Sequence, residues 1–129
     1  MDAEKTLVHR ILLELPTGRG QHDAEEIAIK LGAESGRVKT ILLELKRIGV
    51  AREGYYGWRL GQSKLLRFLH ERGWDSEFTQ ADVIGATGLS QSTVSRRMRI
   101  LVDLGIVAVS RHAGVPGTGG RVAHYMRVL

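Results

Sequence analysis

The feature that most constrains the fold is an internal repeat. Ile27, Gly32, Val38, Leu45, Ile48, Gly49 and Val50 recur in order, each 56 positions later, as Val83, Gly88, Val94, Leu101, Leu104, Gly105 and Ile106. Upstream, Ile11, Leu12 and Leu15 match Leu65, Leu66 and Leu69 at an offset of 54, so the one short gap falls in the loop after the first apolar segment. A repeat of aliphatics and glycines over 129 residues reads as two copies of one unit. The copies are expected to span 1–61 and 62–129, joined by Leu60-Gly61-Gln62-Ser63 with no Pro- or Ser-rich linker.

Each copy carries the same local signals. In the first, Leu7, Val8, Ile11, Leu12 and Leu15 recur at helical spacing and Pro16 follows. Asp23-x-x-Glu26 predicts a capping box opening a short second helix, which Gly32 ends. Val38, Ile41, Leu42 and Leu45 mark one face of a third helix ended by Gly49, and strands are expected at Val50–Glu53 and Tyr56–Leu60. In the second copy, Leu65–Leu69 belong to the first helix, Thr79-x-x-Asp82 caps the second, and Ser90 caps a third that runs to about Leu104. Strands are expected at Ile106–Arg111 and Arg121–Val128, around a Gly-rich loop from His112 to Gly120.

Helix, helix, tight glycine turn, helix, hairpin is the order of a winged helix-turn-helix. The expected fold class is therefore mainly α with small β-hairpins (α+β), in two tandem winged helix-turn-helix domains. Residues 79–111, TQADVIGATGLSQSTVSRRMRILVDLGIVAVSR, resemble the core of MarR- and ArsR-type transcription regulators. The stretch Leu89–Met98 followed by Leu104-Gly105-Ile106-Val107 is the most specific part of that resemblance. It implies double-stranded DNA as partner. The long flanking helices through which MarR-type proteins dimerise are missing, so that oligomeric state does not carry over.

At 100° per residue, Val94, Met98, Leu101 and Val102 share the inward sector of the second copy's third helix. Ser92, Thr93, Arg96, Arg99 and Asp103 lie opposite, with Ser95 and Arg97 on the flanks. Arginine forms bidentate pairs with guanine O6 and N7, and Gln91, Ser92 and Thr93 sit near the positive end of the helix dipole, where phosphate binds. Arg111, His112 and Arg121 flank the Gly-rich wing and complete the expected DNA-binding set. The bland alternative is an arginine-rich helix that is merely solvated.

The first copy differs. Thr40, Ile41 and Leu43 stand where Arg96, Arg97 and Arg99 stand in the second, and Glu44 also points outward. An outward leucine and glutamate suit a protein contact better than a phosphate surface. Arg37, Lys39, Thr40 and Arg47 remain as an auxiliary DNA-binding set, with Lys46 at the edge. The wing Arg52-Glu53-Gly54-Tyr55-Tyr56-Gly57-Trp58 is tight, and its aromatics are expected to cap a small core.

Charge follows the same division. Residues 1–60 carry 10 basic and 9 acidic groups, whereas residues 61–129 carry 9 and 5, which concentrates the excess of the formal +5 in the second copy. There is no cysteine, so disulfide scaffolds, thiolate metal sites and cysteine nucleophiles are excluded. His9, His22, His70, His112 and His124 show no zinc spacing, and His112 with His124 would supply two ligands at most. Gly117-x-Gly119-Gly120 lacks the Lys-Ser/Thr of a phosphate loop. Asp75 and Glu77, beside Trp74 and Phe78, read as a packed loop and not as an acid–base pair. No cofactor, metal or catalytic residue is expected, and no run of about 18 apolar residues suggests a membrane span. The expectation is a cytoplasmic, nucleoid-associated, sequence-specific DNA-binding regulator without catalytic activity. Its rivals are a tandem winged-helix protein–protein scaffold, engaged through the outward face of the first copy, and a replication initiator or RNA-binding module.

Overall fold

The computed structural model describes residues 3–72, 76–114 and 121–128. The chain divides into two compact units, Met1–Leu66 and Arg67–Leu129, a division that falls within the helix Lys64–Glu71. Unit one holds helices α1 (Ala3–Glu14), α2 (Ala24–Leu31) and α3 (Ser35–Arg47), then strands β1 (Ala51–Gly54) and β2 (Gly57–Leu60). After α4 (Lys64–Glu71) come α5 (Gln80–Thr87), α6 (Gln91–Asp103), β3 (Val107–Gly114) and β4 (Arg121–Arg127). Both bounds of α5 lie 56 positions beyond those of α2, and both bounds of α6 lie 56 beyond those of α3.

The caps explain why these short helices start and stop where they do. Asp23 accepts a hydrogen bond from the Glu26 amide while the Glu26 side chain returns to the Asp23 amide. Thr79 and Asp82 make the same reciprocal pair at α5. Each box satisfies two otherwise unpartnered donors. Gly32 (φ 64°) and Gly88 (φ 72°) then turn the chain through the left-handed region, so that a second helix can start within a few residues.

The core of unit one is aliphatic. Leu7, Val8, Ile11 and Leu15 of the first segment, Ile27 and Ala28 of α2, and Val38, Ile41, Leu42 and Leu45 of α3 are buried. Ile48, Val50 and Ala51 carry that core into the hairpin. The antiparallel β1–β2 register pairs Ala51 with Leu60 and Gly54 with Gly57. The Trp58 amide donates to the His22 carbonyl (2.9 Å) and the Leu60 amide to the Pro16 carbonyl (2.9 Å), which ties β2 to the α1–α2 connection.

Unit two repeats the scheme with more aromatic weight. Val83, Val94, Met98, Leu101, Leu104, Ile106 and Val107 are buried. Phe78 sits between Phe68 (centroids 5.2 Å apart) and Tyr125 (5.9 Å), and forms a two-way backbone bridge with Tyr125. Arg127 donates to the carbonyls of Leu69 (3.0 Å) and Arg72 (3.2 Å) at the end of α4, where a cation complements the helix dipole.

Two expectations need correction. The first wing strand of unit two is longer than Ile106–Arg111, because β3 and β4 pair from Val107↔Arg127 to Gly114↔Arg121, with an irregularity between Val109 and Arg111. The aromatics of the first hairpin do not all cap a core. Trp58 is 3% exposed, but Tyr55 is 95% and Tyr56 57% exposed. The cause is register: pairing of Gly54 with Gly57 makes Tyr55-Tyr56 the turn itself, beyond reach of the core, whereas Trp58 lies within β2.

Gly57 and Gly32 offer a controlled stability test. A Cβ at Gly57 (φ 141°) would lie 2.5 Å from the His22 backbone, while one at Gly32 meets nothing within 4 Å. Gly32→Ala should lose only the left-handed penalty of about 1–2 kcal/mol. Gly57→Ala must also displace the backbone that accepts the Trp58 bond, so its urea midpoint should fall further. Equal losses in urea titrations would contradict this close approach.

Candidate nucleic-acid interface

α6 presents a divided surface. Val94, Met98 and Leu101 face inward, which turns Gln91, Ser92, Ser95, Arg96, Arg99 and Asp103 to solvent and leaves Thr93 and Arg97 half-buried. Ser90 caps the helix by accepting from the Thr93 amide (3.3 Å), and its hydroxyl donates to Thr93 Oγ1 (2.9 Å). Among the described residues, none of Arg96, Arg97 and Arg99 is ion-paired. Three guanidiniums therefore stand without an ion-pair partner on and beside the exposed face of one short helix, with the Asp103 carboxylate one turn on from Arg99.

The polar groups around α6 are less free. Ser95 Oγ donates to Gln80 Oε1 (2.8 Å), and Gln80 Nε2 donates to the Tyr125 hydroxyl (3.1 Å). This chain links α6, α5 and β4, so the Ser95 proton is already committed. Gln80, Ser95, Arg99, Asp103, Val109 and Tyr125 are among the residues lining a groove of about 270 Å³ beside the helix. Gln80 was not among the expected site residues. Its counterpart in the first copy is Ala24, and no periodicity marks it.

The wing is also partly self-neutralised. Arg111 Nε donates to Glu77 Oε2 (2.9 Å), and Ser110 Oγ lies 3.1 Å from Glu77 Oε1. His124 Nδ1 is 3.6 Å from the same carboxylate. Chiefly through the Arg111 hydrogen bond, the Glu77 carboxyl is held below the ordinary carboxylate range. Arg111 is thus not a free phosphate ligand as it stands, and the Glu77 reading as a merely packed loop residue is replaced by an ion pair. His112 is exposed, opposite Ala123, while His124 is opposite Arg111, so the two histidines are not cross-strand partners. Among the described residues, no group of three His, Asp or Glu side chains is placed to hold a metal. Loop residues 115–120, the Arg121 side chain, Trp74 and Asp75 lie outside the described residues.

The equivalent surface of unit one has other chemistry. Arg37, Lys39, Thr40, Leu43, Lys46 and Arg47 are exposed on α3, but Lys46 pairs with Glu53 and Arg47 with Glu44, each at 3.5 Å. Thr40 Oγ1 donates to the Gly36 carbonyl (2.9 Å), and Ile41, which stands where Arg97 does, is buried. Beside α3 is a groove of about 710 Å³ whose lining includes Asp23, Glu25 and Glu53, with Lys39, Leu43 and Trp58. Three carboxylates against one lysine repel phosphate.

Comparison with known proteins bears on the second unit. Residues 62–108 match a family model described as winged helix-turn-helix DNA-binding. With the β3–β4 hairpin that follows, they have the helix, helix, turn, helix, hairpin order of a winged helix-turn-helix. The match takes in α4, α5 and α6 and reaches the second residue of β3. No curated protein matches the chain. Among solved structures, the crystal structure of ScpB from Mycobacterium tuberculosis aligns with 99% of this chain and 92% of its own, at 19% identity and a TM-score of 0.35, too distant a likeness to bear on function. In that motif α6 is the second helix, the one that winged helix-turn-helix domains present outward.

Glu77 supplies a test of this surface. Its depressed carboxyl contributes stability above the ordinary glutamate pKa, a contribution lost as pH falls through the lower native value. Glu77→Gln should release Arg111 and remove one surface carboxylate. Duplex DNA should then bind several-fold more tightly at low salt, with a log K against log salt slope steeper by about one. An unchanged slope would show that Arg111 stays away from phosphate.

Proposed function

We propose that the protein is a sequence-specific double-stranded DNA-binding regulator of transcription, acting inside the cell without catalysis or cofactor. Unit two is the main reader, in the manner of the MarR- and ArsR-type regulators that residues 79–111 resemble. The observation that carries the reading is the set of unpaired arginines on the solvent side of α6. With the N-terminal half of α6 in a major groove, Arg96 and Arg99 address guanine edges, each bidentate pair giving about 1–3 kcal/mol of discrimination. Gln91, Ser92 and Thr93 hold phosphates at the helix start, and Arg97 supports them from the flank.

Unit one is read as a second winged helix-turn-helix in tandem. Support comes from the common offset of α2 with α5 and of α3 with α6, the paired capping boxes and the paired glycine turns. Its α3 is an auxiliary DNA contact at most. Leu43, 46% exposed beside a groove lined by three carboxylates, favours a protein partner on that face. That is the second reading, a scaffold role, and it applies to unit one alone.

The test is a comparison of paired substitutions by fluorescence anisotropy on a selected duplex. Arg96→Ala with Arg99→Ala should weaken binding by about 10-fold to 1,000-fold. Arg37→Ala with Lys39→Ala should cost less than about 5-fold, as loss of peripheral phosphate contacts does. Equal losses would contradict the asymmetry between the units, and no loss in either would remove DNA reading by α6.

A further inference from the structure

Tyr55 is almost wholly exposed at the turn of the first hairpin, and Tyr56 packs edge-to-face against it, with centroids 4.9 Å apart and planes at 82°. The Arg19 guanidinium lies over the Tyr56 ring, 3.3 Å from its centroid. The hairpin has two chemically distinct faces. Glu53 and its cross-strand partner Trp58 line the groove beside α3. Arg52 and its partner Arg59 share the other face, where Arg59 Nη2 donates to the Thr17 carbonyl (3.3 Å). Arg19, Arg52 and Arg59 have no ion-pair partner among the described residues, and the buried Arg59 Nε has no hydrogen-bond partner.

We propose that this tip is a second nucleic-acid site, separate from α6, that takes an unpaired base of a single strand. The exposed Tyr55 ring is the stacking platform. Tyr56, with the guanidinium lying on it, backs that platform edge-on, and Arg19 and Arg52 flank the path of the sugar-phosphate chain. Exposed aromatics beside unpaired cations are the requirement for binding single strands without base preference, because every base offers a π-face and every linkage a phosphate. The site does not use the α3 face, whose carboxylates lie on the opposite side of the hairpin.

The test uses the full chain and fluorescein-labelled oligothymidylate, oligouridylate and random duplex at low salt. The wild-type protein should bind the single strands, a preference between the two telling DNA from RNA as the source. Tyr55→Ala with Tyr56→Ala should weaken that binding by about 5-fold to 100-fold, while Tyr55→Phe with Tyr56→Phe should retain it. Arg96→Ala with Arg99→Ala should weaken duplex binding far more than single-strand binding, and the tyrosine pair the reverse, so failure of this site and failure of duplex reading by α6 are separable. Single strands that do not bind, or that bind the alanine pair as tightly as the wild type, would overturn the proposal.

Discussion

The inward stripe Val94, Met98 and Leu101 is the constraint from which the candidate interface follows. Each of these side chains contributes about 1.5–3 kcal/mol by leaving water, whereas a surface ion pair contributes about 0–1 kcal/mol. Packing therefore fixes the rotation of α6, and the arginines take whichever direction remains. Because the glycine turn at Gly88 sets α6 at the exposed position of the motif, that direction is solvent. The exposed arginine face is what is left when the core has been satisfied.

The same logic explains how one backbone plan supports two surfaces. The stripe recurs in α3 as Val38, Leu42 and Leu45, after the same glycine turn, although Ser90 caps α6 with its side chain and Glu34 makes no such bond at α3. Positions opposite the stripe contribute little to folding, so Arg96 and Arg99 can stand where the first copy has Thr40 and Leu43 without disturbing either core. Local carboxylates complete the divergence. Glu53 engages Lys46 in unit one, whereas unit two has Val109 at the matching wing position, so no wing carboxylate pairs with the helix arginines.

What was legible in the sequence was everything set by local period and local caps. The repeat, both capping boxes, the glycine stops and most of the inward and outward faces of α3 and α6 follow from spacing over a few residues, although Thr93, expected outward, and Val102, expected inward, are both half-buried. Pairings made across the chain were not legible. Arg111 meets Glu77 across 34 positions and Gln80 meets Tyr125 across 45, and no periodicity encodes either. The hairpin aromatics failed for a related reason. Tyr55, Tyr56 and Trp58 look alike in composition, and only the strand register decides which of them reaches the core.

Recognition of a particular sequence by the outer side of α6 is the central claim, and selection from a random duplex pool tests it most directly. The account predicts one enriched motif, with guanines at positions that relax when Arg96 or Arg99 is replaced. Absence of enrichment, or the same motif recovered by a protein lacking both arginines, would contradict it.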